Sequence, residues 1–150
     1  MAPDVATIPS PPGVPTAEDL GILVELADDE QLGQLFRGMG PDKVLARVFE
    51  DLPDRFDPTR AAGVTAATVQ WIASLDGQRY PWIVEVAGTE CRVRPGMAEQ
   101  PIVTMDASLP DVIRVMTGRM LTTRGFLGGE LAITGDVVCA MQLQGWFGLS

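Results

Sequence analysis

The chain has no histidine, only two cysteines and no phosphate-binding glycine loop. Without histidine, neither Cys91 nor Cys139 has the usual base that would activate it as a nucleophile. No grouping of Cys and carboxylates has the spacing of a metal site, so no metal or cofactor is expected. Two cysteines are too few for the disulfide framework of a small secreted scaffold. No apolar run approaches the ~18–20 residues that span a bilayer. The opening MAPDVATIPSPPGVP lacks a basic and then an apolar segment, so no secretory signal is expected and the cytoplasm is the expected location. Bases are scarce: 11 Lys and Arg stand against 20 Asp and Glu, a net charge of −9. That balance excludes nucleic acid, whose phosphates need clustered cations, and leaves at most transient contact with an anionic membrane.

What the chain does have is apolar material, 46% of its 150 residues. A single domain of that size buries roughly 68–70% of its unfolded surface. The charge is uneven. Residues 1–60 carry 12 acids and 5 bases, whereas residues 61–150 carry 8 and 6 and are close to neutral. A nearly neutral C-terminal two-thirds suits a domain that handles apolar cargo.

Residues 1–15, with Pro3, Pro9, Pro11, Pro12 and Pro15, read as a disordered tail. Residues 16–40 read as a helical extension. Thr16 caps one helix with Asp19 three positions on, and a second runs from Asp28 or Asp29 to Arg37 until Gly38-Met39-Gly40-Pro41 breaks it. Val44, Leu45, Val48, Phe49 and Leu52 then form one helical stripe, with Pro53 as its expected end. From Ala62 the period becomes two. Val69, Trp71 and Ala73 alternate, Asp76-Gly77 turns the chain, and Trp82, Val84 and Val86 alternate on the returning strand. Strands at Cys91–Arg94 and Ile102–Asp106 follow, with three hairpin-like connections predicting an antiparallel meander. Ser108 caps a further helix that stops at Gly118, residues 125–129 read as a Gly-rich turn, Leu131–Thr134 as a fifth strand and Val137–Trp146 as a closing helix. The order indicates an α+β fold with a mostly antiparallel sheet.

The run from Pro101 to Phe147 resembles the sterol carrier protein 2 family, the sterol-binding or lipid-transfer domain, of bacterial type. The likeness rests on Val103-Thr104, Thr117-Gly118-Arg119, Phe126, Gly129-Glu130-Leu131-Ala132-Ile133-Thr134-Gly135-Asp136 and Ala140-Met141-Gln142-Leu143-Gln144, in order and without a gap. It reaches back through Trp82, Trp71 and the Val44–Leu52 helix, so residues 41–147 form the expected lipid-binding domain. The resemblance implies a five-stranded sheet with helices packed on one face, enclosing an apolar tunnel. It also implies a hydrophobic small-molecule partner. The family's lysines around the last strand are replaced here by Glu130, Ala132 and Thr134, which weighs against docking to anionic membranes.

The expected ligand-binding residues are Trp71, Trp82, Met105, Met116, Phe126, Leu131, Ile133, Val137, Ala140, Met141 and Gln144. The apolar ones serve equally well as ordinary core, and the methionines as adaptable filler. Gln144 either points inward toward a polar head group or lies exposed on its helix. Asp111 and Asp136 have structural explanations as a helix-start and a turn residue. The leading expectation is a non-catalytic holder or carrier of a fatty acyl, isoprenoid or polyketide-like lipid. Two alternatives stand beside it: an accessory cyclase or isomerase using a buried Asp or Gln, with Asp106 as one candidate, and a docking module whose acidic N-terminal helices bind a partner protein.

Overall fold

The computed structural model describes residues 14–149. Apart from Val14 and Pro15, the expected Pro-rich tail lies outside the described residues. Helices α1 (Ala17–Leu26) and α2 (Asp29–Met39) open the described chain. The Thr16 hydroxyl accepts the Asp19 N–H, and Asp28 with Gln31 forms a reciprocal capping box. The apolar stripe from Val44 is split between two helices, α3 (Pro41–Phe49) and α4 (Leu52–Arg55). Pro53 does not end a helix as expected. It sits in the first turn of α4, where a missing N–H costs nothing.

Five strands follow: β1 (Ala66–Leu75), β2 (Gln78–Ala87), β3 (Glu90–Pro95), β4 (Val103–Ser108) and, after two helices, β5 (Leu131–Gly135). They form one sheet in the order β3-β2-β1-β4-β5. The expected meander holds for β1–β2–β3 and fails at β4, which crosses over and pairs parallel with β1. The sheet is mixed and mostly antiparallel, since β4–β5 is antiparallel again. The crossover is geometrically easy. β3 ends at the level of Trp71 and β4 begins at the level of Val69, so the chain steps back only two residues while crossing three strand spacings, about 14 Å. Seven residues reach about 23 Å. Gln70 fixes this loop: its amide donates to the carbonyls of Gly96, Trp82 and Trp71, and its carbonyl accepts the Ala98 N–H at 2.7 Å.

The sheet's other face carries Val69, Trp71 and Ala73, with Trp82, Val84, Val86, Val103, Met105 and Leu131 beside them, all buried. Onto it pack α3, α5 (Leu109–Met116) and α7 (Val137–Trp146). α5 is capped by Ser108 and α7 by Asp136, whose carboxylate accepts the Cys139 N–H at 3.0 Å. Residues 125–129, expected as a turn, are partly helical: α6 spans Thr122–Leu127, with Gly125 buried against Met120 and Leu131. The extension shares the same core through Leu20, Val24, Leu32 and Phe36. Two of its acids are engaged within the chain. Arg114 bonds Asp29 at 2.6 Å and Asp111 at 2.7 Å, and Arg119 bonds Glu25 at 2.9 Å. No described helix is long and apolar enough to cross a membrane.

Candidate functional site

Where the sheet meets the ends of α5 and α7, the packing is incomplete. Trp71 and Val84 form the floor, Val115, Met116 and Thr122 one wall, Leu143 and Gln144 another, and Leu52, Phe147 and Leu149 close the space. Its free volume is about 20 Å³, room for a single water. The lining is apolar save for Thr122 and Gln144, and none of its residues is charged.

Local sequence explains each wall. Phe49 from α3 stacks on Trp82 at 5.0 Å and meets Trp71 edge-on at 6.3 Å. Phe49 therefore fills the sheet centre over Trp82 and leaves one side of Trp71 to face the cavity. Gln144 points inward and is 5% exposed. Its amide donates to the carbonyls of Val115 (3.1 Å) and Met120 (2.8 Å), and its side-chain oxygen accepts the Thr122 N–H at 2.8 Å. Both its amide hydrogens and one lone pair of its oxygen are committed to joining α7, the end of α5 and the start of α6. The segment Phe147–Leu149 folds back on α7, with the N–H groups of Phe147 and Leu149 both donating to the Gln144 main-chain carbonyl. Leu149 is thereby held inward, 7% exposed. Gly118 (φ 77°) allows its close approach, because a Cβ there would lie 2.9 Å from the Leu149 carbonyl oxygen.

Of the residues expected to bind ligand, the cavity brings together Trp71, Met116 and Gln144. Trp82, Met105, Leu131 and Ala140 are buried in the adjoining core. Ile133 is half-buried beside it, and Met141 lines a separate surface groove with Trp146. Phe126 and Val137 face outward, 37% and 38% exposed. The cavity adds residues that sequence reasoning passed over. Val84 shares a strand face with Trp82, Leu143 follows Ala140 by one helical step, and Leu52 continues the α3 stripe, so their signals were present. Thr122 had none, being a polar residue beside a glycine-rich stretch.

The carboxylates lie elsewhere. Asp106 points to the far face of the sheet and pairs with Arg79 at 2.6 Å. Asp111 pairs with Arg114, whose guanidinium loses hydration by burial yet has its pKa raised by its bonds to Asp29 and Asp111. Burial pushes the Cys91 thiol up to about 11, and burial with the nearby Asp136 pushes Cys139 up as well. Neither thiol forms a useful thiolate near neutrality. Glu130, Ala132, Thr134 and Gln142 are all exposed, so the surface around β5 carries no lysine.

Residues 45–148 match the model of the SCP-2 sterol transfer family. The chain belongs to this family. Sterol carrier protein 2 from Oryctolagus cuniculus is 26% identical over 121 residues, 81% of this chain but 22% of that protein. The chain thus spans about a fifth of the length of that curated relative. Among solved structures, palmitated SCP2L2 from Aedes aegypti superposes with a TM-score of 0.56 at 20% identity, covering 66% of this chain and 89% of that one. MycE methyltransferase from the mycinamycin biosynthetic pathway gives a TM-score of 0.61 at 13% identity, covering 89% of this chain and 36% of that one. The first likeness covers about two thirds of this chain and the second nearly nine-tenths, and both bear on its fold alone.

Proposed function

We propose that this SCP-2 domain binds a hydrophobic small molecule between the sheet and helices α5–α7, as a non-catalytic holder of an acyl, isoprenoid or polyketide-like chain. The observation that carries the reading is the apolar, uncharged lining around Trp71, Met116 and Leu143, closed by the folded-back Phe147 and Leu149. About 20 Å³ of free room holds no lipid, whereas ligand pockets run to about 300–1,000 Å³. Binding therefore requires Phe147 and Leu149 to leave. Exposing two such side chains costs about 3–6 kcal/mol, and a ligand offsets it at about 0.8 kcal/mol per buried methylene. The break-even length is therefore about four to eight methylenes. Longer chains fill the site in place of Leu149, and shorter ones leave it closed.

The test is native mass spectrometry of freshly purified protein, with identification of any released lipid and uptake of a fluorescent fatty acid. A bound lipid of more than about eight carbons supports the reading. Absence of both a co-purifying lipid and uptake overturns it. Leu149→Ala, which removes part of the internal competitor, is expected to raise lipid affinity about three- to tenfold.

A further inference from the structure

Among the described residues, Thr122 Oγ1 is the buried side-chain polar atom that has no hydrogen-bond partner. The residue is 2% exposed and lines the cavity. Its main-chain N–H is already held by Gln144, so the backbone is fixed and the hydroxyl alone is unanswered. Gln144 cannot turn to meet it, because its amide is held by the carbonyls of Val115 and Met120. A buried hydroxyl without a partner is unfavourable, and native interiors seldom keep one without a role. The residue that carries it lines the apolar space that the proposed ligand fills.

We infer that Thr122 is the anchor for a single uncharged polar group, a hydroxyl or carbonyl, on the ligand's buried end. The inference rests on the lipid-binding reading above and narrows it to a neutral ligand class. A threonine hydroxyl both donates and accepts, so it serves an alcohol, a ketone or an ester equally. It does not serve an ion. With no cation in the lining, an inward carboxylate would be buried unpaired, so a fatty acid must keep its head group in water and leave Thr122 unmet. The site therefore ranks a neutral polar lipid above both a hydrocarbon and a fatty acid of equal length.

The experiment measures binding of dodecan-1-ol, dodecane and dodecanoate at pH 8 to the full chain and to Thr122→Val and Thr122→Ser. Valine keeps the shape and removes the hydroxyl, while serine keeps the hydroxyl, so the pair separates loss of the hydrogen bond from loss of packing. Thermal unfolding of each variant confirms that it is folded. Expected is a three- to tenfold loss of dodecan-1-ol affinity in the valine variant, recovery in the serine variant, and less than a twofold change for dodecane and dodecanoate. Equal losses for all three ligands, or no loss for dodecan-1-ol, would overturn the role of Thr122 while leaving the lipid-binding reading intact. Failure of the unaltered chain to bind any of the three overturns both.

Discussion

Gln144 shows how much one side chain can hold together. It joins three main-chain groups, the Val115 and Met120 carbonyls and the Thr122 N–H, across two helices and the link between them. Gln144→Leu fills the same space but strands the Met120 carbonyl and the Thr122 N–H, while the Val115 carbonyl keeps the Gly118 N–H, and is expected to cost about 2 kcal/mol or more. Urea unfolding checks this, with an unchanged midpoint counting against the assignment. From sequence, inward and outward orientations of this residue were equally open, because helical spacing does not say which polar side chain finds partners. The thiols offer a second residue-scale expectation. With Cys91 raised to about 11 from the ordinary 9.0, its alkylation at pH 8 is slow in the folded chain and fast once unfolded. The sign for stability follows. The unfolded thiol ionises first, so folding weakens as pH rises from about 9 toward 11. Alkylation rates measured against pH, with and without urea, test both points.

At the scale of elements, the junction of the N-terminal helices with α5 is where charge matters. Arg114 is mostly buried and bridges Asp111 on its own helix to Asp29 on α2. Arg114→Ala leaves the buried Asp111 carboxylate without its cation and is expected to cost about 2–3 kcal/mol. Arg119→Ala, which breaks the more exposed bond to Glu25, is expected to cost under about 1 kcal/mol. Chemical denaturation of the two variants reads the difference. Most of the helices were legible, because their signals are local: Thr16, Asp28 and Ser108 start their helices as expected, while Asp136, expected as a turn residue, caps α7. The parallel partner of β4 was not. Pro95-Gly96 and the residues after it look the same whether the chain reverses or crosses under the sheet, and the choice is made by Gln70, which bonds a loop 26 to 28 positions away. The helix at 122–127 was hidden for a related reason. Its glycine packs against Met120 and Leu131, and the Leu131 contact lies outside the local window.

At the scale of the whole molecule, the family and the alternation of the strands were readable from order and spacing, while the cavity was not. Its walls come from β1, β2, α4, α5, α6, α7 and the segment beyond α7. Only the closed chain decides that Leu149, with no distinguishing neighbours in sequence, lines the same cavity as Trp71 and Gln144.

The parallel seam between β1 and β4 carries a consequence for how the chain is made. The hairpins β1–β2–β3 need no residue beyond 95, but they leave the far edge of β1 open, with Trp71 beside it. That edge finds its partner only when Val103–Ser108 arrives, and β5 and α7 close the fold later still. A released chain ending between residues 95 and 103 would present an unpaired, apolar strand edge to the cell. Truncated chains ending in that interval are expected to aggregate or to be captured by chaperones, and chains extended past α7 to escape both.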